Sequence, residues 1–187
     1  MIYIKDDFLD NDTLLSIEND KSEFKKVDKP GKSFWVKLPS KEFIDEVCLK
    51  LSLIENGEIK PILSFFREAK KDQDNDWRLH NDSIIEGQQP DRAIVIYVSD
   101  DNYRGLNGTA FWEHKLYGDN LKEVSEERHN EILIEDSNDL DKWTLKSIVG
   151  HKKNRLISYP CNYFHSKYPN EFIESRRVFV MFYKVNK

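Results

Sequence analysis

The chain has 187 residues, 39% hydrophobic and 34% charged, which is enough for one soluble domain with a sizeable core. Its formal net charge of -5 comes from interspersed signs, which argues against a general nucleic-acid-binding surface but not against a local basic groove. No apolar run reaches membrane-spanning length. The opening Met1-Ile2-Tyr3-Ile4-Lys5-Asp6-Asp7 lacks a basic segment followed by an apolar one, so a cytoplasmic location without a secretory signal is expected. Cys48 and Cys161 form no CxxC or zinc-type cluster. They read as two buried thiols, with a pairing between them left open.

Tyr3-Ile4 is a short strand, with Asp6-Asp7-Phe8-Leu9 as its exit. Asp10-Asn11-Asp12 can cap a helix through Leu14, Leu15 and Ile17. Lys21 to Lys32 is polar and contains a Pro30-Gly31 turn signal. Ser33 to Leu38 reads as a strand or an aromatic-anchored loop. Ser40 then opens a second helix with Phe43, Ile44, Val47 and Leu51 on one face, and Asn56-Gly57 ends it.

From Pro61 the pattern changes to short strands: Ile62–Arg67, Arg78–His80, Ala93–Val98, Thr109–Trp112, Trp143–Val149, Asn154–Tyr159, Tyr163–His165 and Arg177–Tyr183. Ala93–Val98 is a nearly continuous apolar run, as a buried strand requires. Lys70 to Asp76 is a charged loop, Ile84 to Arg92 a turn-rich connection and Ser99 to Gly108 a loop with two glycines. Asp119 to Asp141 is highly charged and reads as a helical or irregular surface insertion, either a solvated face or a lid. The expected fold is mainly β with N-terminal helices, a closed or double-sheet β architecture. Residues 1–60 would form a helical support region and residues 61–187 the β-barrel core of a single domain.

The stretch that carries chemistry is Trp77-Arg78-Leu79-His80-Asn81-Asp82-Ser83. If it is extended, His80 and Asp82 point to the same face. They then offer an imidazole nitrogen and a carboxylate oxygen to one cation. His165, just after a strand-like run, is the candidate third ligand. Two His and one carboxylate on one face of a metal leave other positions open, the arrangement of non-heme Fe(II) oxygenases. The bland alternatives are a surface His–Asp pair and a core histidine bonded to a carbonyl. His151 competes with His165 but sits in a Lys-rich turn and reads as solvent-facing. His114 and His129 read as surface residues, and the four tryptophans as core.

With these pieces placed, the chain resembles the 2-oxoglutarate- and Fe(II)-dependent oxygenases, especially the prolyl-hydroxylase-like branch. Five pieces carry the resemblance: Asp6-Asp7-Phe8-Leu9, Arg78 to Asp82, Ile94 to Tyr97 with Gly105 to Phe111, Asn154 to Pro160 with His165, and Arg176 to Tyr183. Asn107-Gly108 departs from the paired glycines of many members. The resemblance implies a cupin-like double-stranded β-helix, with Fe(II) on His80, Asp82 and His165, and 2-oxoglutarate and O2 as co-substrates. It implies decarboxylation of 2-oxoglutarate to succinate and CO2, coupled to hydroxylation of a C–H bond. Arg177 is the expected anchor of the 2-oxoglutarate far carboxylate, because it shares a face with Phe179, Met181 and Tyr183. Arg176 would then be a solvated or inter-sheet charge. Tyr97 either hydrogen-bonds 2-oxoglutarate or is a core tyrosine. The expected partner is a small-molecule or peptidyl substrate, with neither membrane nor nucleic acid. A non-catalytic cupin-like module that binds a metal or a small molecule is the alternative.

Overall fold

The computed structural model describes residues 1–29, 32–69, 79–101, 105–119, 125–169 and 175–187. The Pro30-Gly31 turn, the Lys70 to Asp76 loop, and Trp77 and Arg78 lie outside them, as do parts of the segments from Ser99 and from Asp119.

Two helices form where the caps predict. Helix α1 spans Asn11–Asn19, and the Asp10 carboxylate accepts the Thr13 N–H at 3.0 Å. Helix α2 spans Lys41–Glu55, and Ser40 Oγ accepts the Phe43 N–H at 3.2 Å. The left-handed residue that ends α2 is Asn56 (φ 53°), one of the few non-glycine types suited to it.

The strands are β1 (Tyr3–Lys5), β2 (Lys25–Lys29), β3 (Lys32–Lys37), β4 (Glu58–Ala69), β5 (Arg92–Tyr97), β6 (Gly108–His114), β7 (Trp143–Gly150), β8 (Leu156–Pro160), β9 (Phe164–Tyr168) and β10 (Arg176–Asn186). They form two antiparallel sheets. The larger has the order β1-β8-β5-β10-β4-β3-β2 and the smaller β7-β6-β9. This is the mainly-β double-stranded β-helix that the strand pattern suggests. The first 60 residues are more than helical support, since they also supply β1, β2 and β3. β4 runs well beyond Ile62–Arg67. Its register with β10 shifts by one residue between Phe182↔Leu63 and Tyr183↔Pro61, which leaves Ile62 as a bulge.

The large sheet is buried on both faces. Phe66, Phe179, Met181 and Tyr183 on one face pack with Phe43, Val47 and Leu51 of α2. Val95, Tyr97, Tyr159, Val178 and Phe182 on the other face meet Phe111 and Val149 of the small sheet. The outer face of the small sheet makes a third cluster of Leu79, Ala110, Trp112, Trp143 and Phe164, closed by Ile132. Cys48 and Cys161 are both free thiols, and burial pushes each above the ordinary thiol pKa. Among the described residues no helix is long and apolar enough to cross a membrane.

Ile132 belongs to helix α3 (Glu126–Glu135), which lies within the charged insertion from Asp119. At 1% exposure it is a core residue, so this part of the insertion is not a solvated excursion. Ile132→Ala is expected to lower stability by roughly 2–4 kcal/mol, as loss of a fully buried isoleucine does. Denaturant unfolding checks this, and a change below about 0.5 kcal/mol would place Ile132 at the surface.

The exit of β1 is fastened to the entry of β8. Asn154, in the left-handed conformation (φ 64°), accepts the Leu9 N–H at 2.7 Å and donates to the Leu9 carbonyl at 2.8 Å. The Arg155 guanidinium forks onto Asp6 at 2.6 and 3.1 Å, with Lys152 at 3.0 Å. These bonds hold the Asp6 carboxyl well below the usual carboxylate range. A depressed folded value gives stability that is present above the unfolded carboxyl's pKa of about 3.9 and lost as pH falls below it. Asp6→Asn should therefore melt below the parent at pH 7, with the gap closing once pH drops under about 4. A gap that stays constant down to acid pH would show that charge is not what Asp6 contributes.

Candidate metal centre and cleft

Backbone hydrogen bonds pin the His-x-Asp on both sides. The Leu79 N–H donates to the Ser137 carbonyl at 3.0 Å, just beyond α3. His80 and His165 exchange both backbone bonds, at 3.1 and 2.8 Å, and the Asp82 N–H donates to the Cys161 carbonyl at 2.8 Å. The predicted strand at Arg78–His80 is thus, among the described residues, a single bridge to β9. The insertion, read from the sequence as either a solvated face or a lid, thus supplies the carbonyl that holds the residue before the first candidate ligand.

This pinning brings the three predicted side chains together. His80 Nε2 lies 3.7 Å from Asp82 Oδ1, and His165 Nε2 lies 3.3 Å from Asp82 Oδ2. One donor atom from each falls within 4.8 Å of the others. His165 Nδ1 sits 3.0 Å from the Tyr163 carbonyl, which can only accept. Nδ1 therefore carries a proton, which leaves Nε2, the nitrogen beside Asp82, as the one that could ligate a metal. Tyr159 packs against the His165 ring at 4.8 Å between centroids and fixes its plane. Two imidazole nitrogens and one carboxylate on one side suit a divalent first-row metal.

The three donors open into a cleft of about 480 Å3 between the sheets. Its wall on the large sheet runs from Tyr159 through Val95 and Val178 to Arg67, Phe65 and Phe34. Thr109 and Lys167 line it from the small sheet. Arg176 is the arginine that enters it: 8% exposed, it lines the cleft with the three donors. Its guanidinium lies over the Tyr97 ring at 5.2 Å and reaches the Gly108 carbonyl at 3.4 Å.

Arg177 does not face the cleft. Its side chain is 51% exposed, donates from Nε to Glu68 at 2.9 Å and lies over Phe24. The face it shares with Phe179, Met181 and Tyr183 is the helix-packed face of the sheet, not the inter-sheet interior. The expectation for Arg177 is corrected accordingly, and the cleft arginine is Arg176.

Tyr97 is fully buried. Its hydroxyl bonds Thr109 Oγ1 at 2.8 Å and its ring supports Arg176. His151 is half-buried rather than solvent-facing. It stacks on Tyr97 at 4.5 Å and donates from Nε2 to the Ser99 carbonyl at 2.9 Å, away from the three donors. Burial lowers its pKa. His114, expected at the surface, is 1% exposed. Its Nδ1 accepts the Leu116 N–H and its Nε2 faces Asp136 at 3.0 Å. His129 lies in α3. Gly108 shows why this loop needs glycine, since a Cβ there (φ +154°) would sit 2.0 Å from the Val149 carbonyl oxygen.

No family model and no curated protein matches the chain. Solved structures do. HygX from Streptomyces hygroscopicus, with nickel, 2-oxoglutarate and hygromycin B bound, is similar at TM-score 0.62 and 12% identity, over 98% of this chain and 82% of that one. A Pseudomonas putida prolyl-4-hydroxylase is similar at TM-score 0.57 and 11% identity, over 100% and 93%. The viral collagen prolyl hydroxylase of Paramecium Bursaria Chlorella virus-1, a 2-oxoglutarate complex, is similar at TM-score 0.56 and 12% identity, over 100% and 96%. The chain has the fold of the 2-oxoglutarate- and Fe(II)-dependent oxygenases.

Proposed function

We propose that the chain is an Fe(II)- and 2-oxoglutarate-dependent dioxygenase that hydroxylates a substrate C–H bond. The observation that supports this most is that the three donors and the buried Arg176 line one cleft. His80, Asp82 and His165 are the metal ligands, leaving the remaining positions to co-substrate and O2. Bound Fe(II) supplies the redox chemistry that turns 2-oxoglutarate, O2 and R–H into succinate, CO2 and R–OH.

The chain's own residues do the positioning. Arg176 forks onto the far carboxylate of 2-oxoglutarate and stays charged at any working pH. Tyr97 holds the guanidinium from beneath, and Thr109 fixes the Tyr97 hydroxyl. Tyr163 keeps the His165 proton off the ligating nitrogen. Val95, Val178 and Tyr159 exclude water from the inner cleft, which strengthens each charged contact there.

The other reading is a cupin-like module that binds metal without catalysis. A guanidinium buried at the donors' cleft favours the enzyme, since metal binding alone has no use for it. Anaerobic addition of Fe(II) and 2-oxoglutarate to the folded protein should produce the weak visible charge-transfer band of the chelate. Absence of that band in metal-loaded protein would exclude the proposed reaction.

A further inference from the structure

We infer that Asp136 is a positioning residue for the metal centre: held by His114, it fixes the Ser137 carbonyl that ties down the segment bearing His80. This rests on the oxygenase reading above only in taking His80 as a metal ligand.

The link from Ser137 to His80 is short. The Leu79 N–H donates to the Ser137 carbonyl at 3.0 Å, and both residues are buried. His80 follows at once, bonded to His165 through both of its backbone groups. The backbone before and at His80 is therefore held from two elements. Its imidazole needs this more than its partner's does, being 34% exposed where the His165 side chain is 9% exposed. A less enclosed ring is aimed by its backbone.

Ser137 is set in turn by its neighbour. Asp136 is the hub of the turn that follows α3. Its N–H donates to the Ile132 carbonyl at 3.0 Å. Its own carbonyl accepts the Trp143 indole N–H at 2.7 Å and the Asp139 N–H at 3.0 Å. Its carboxylate meets His114 Nε2 at 3.0 Å. One residue is thus fastened to α3, to β7 and to β6. His114 can only be the donor in its bond. Its Nδ1 accepts the Leu116 N–H at 3.2 Å, so the ring proton is on Nε2. The ring is enclosed, edge-on to Trp143 at 4.8 Å and against Tyr117 at 4.9 Å, so it cannot swing away from Asp136 without opening the core.

Stability alone does not call for this pair. Taking an imidazole and a carboxylate out of water is costly, and an apolar pair of similar volume would hold the fold at least as well. The polar pair adds direction, since a hydrogen bond fixes distance and angle where apolar contact tolerates sliding. A metal centre needs that, because its ligands must be held to within about 0.5 Å.

The test uses the full chain under anaerobic conditions, with Fe(II) affinity read by calorimetry and the visible band of the Fe(II)–2-oxoglutarate chelate read at saturation. Asp136→Ala is expected to bind Fe(II) about tenfold more weakly, the lower end of what loss of an outer partner costs, and to displace the band. Asp136→Asn keeps an oxygen for the His114 N–H and should stay within about twofold of the parent, with the band in place. Should Asp136→Ala fail to fold, the double variant His114→Phe/Asp136→Ala carries the same expectation, because it removes both polar partners together. Val47→Ala is the control. It opens the core on the far side of the large sheet, so it should lower stability and leave both metal readouts unchanged. Parent-like affinity and band in the folded Asp136→Ala or the double variant overturn the inference. So does an equal loss in Val47→Ala, or a loss in Asp136→Asn as large as in Asp136→Ala. Failure of the parent itself to bind Fe(II) sinks the oxygenase reading, whereas parent binding that these variants leave intact sinks only the role of Asp136.

Discussion

Arg176→Met is expected to weaken 2-oxoglutarate binding roughly 100-fold, about 3 kcal/mol, while Arg177→Met changes it less than about threefold. Arg176 is 8% exposed and shares its cleft with His80, Asp82 and His165, so on the proposed function methionine would leave a carboxylate in a desolvated pocket without its counter-charge. Methionine replaces the side-chain volume, so the loss reads charge and hydrogen bonding rather than a cavity. Arg177 is on the opposite face, half in solvent, where its bond to Glu68 has no bearing on the cleft. Calorimetry of the Fe(II)-loaded, oxygen-free variants decides the matter. If Arg177→Met abolished binding and Arg176→Met did not, β10 would present its other face to the cleft and the site described here would be wrong.

Asp82→Ala is expected to reduce Fe(II) affinity by more than the roughly 10–100-fold that loss of an outer partner costs. Asp82 is the single carboxylate among the three donors, and its two oxygens face His80 and His165 separately. Its removal takes away the charge that offsets the cation and the atom that links both imidazoles. His151→Ala should leave metal content unchanged, because His151 stacks on Tyr97 and bonds Ser99 rather than pointing at the donors. Iron retained after dialysis measures both. Loss of iron in His151→Ala with retention in His165→Ala would reassign the distal ligand.

The convergence of His80, Asp82 and His165 was legible because their placement is mostly local. Two residues two apart in an extended segment share a face, and the third follows a strand of obvious character. The arginine was not legible, because parity along β10 distinguishes two faces without saying which is the cleft. Both faces are apolar, with Phe179 and Met181 on one and Val178 and Phe182 on the other. Only the packing of α2, far away in sequence, makes the first of these the outside. Strand β2 was missed for a different reason. Lys25-Lys26-Val27-Asp28-Lys29 is an edge strand, and its charges discourage pairing with another chain while hiding the alternation that would reveal it. His114 was read as exposed from its charged neighbours, yet Trp143 and Asp136, more than twenty residues on, enclose it. The helix in the charged insertion showed the same weakness, since one buried Ile132 outweighs the exposed Glu127 and Glu135.

The bulge at Ile62 governs more than local pairing. Before it, Ile59 packs with the helices; after it, the even-numbered Phe66 does, while Leu63, Phe65 and Arg67 face the cleft. The extra residue therefore acts as a frame shift in side-chain parity within an otherwise continuous strand. Deleting Ile62 alone would restore a regular ladder and keep Arg67 on the cleft face, whereas one residue more or fewer between Leu63 and Arg67 would turn Arg67 toward α2 and Phe66 toward the cleft. Homologues that keep this cleft should therefore tolerate length changes in their loops far more readily than here. An alignment gap between Leu63 and Arg67 would mark a protein whose pocket has a different lining, whatever its sequence on either side.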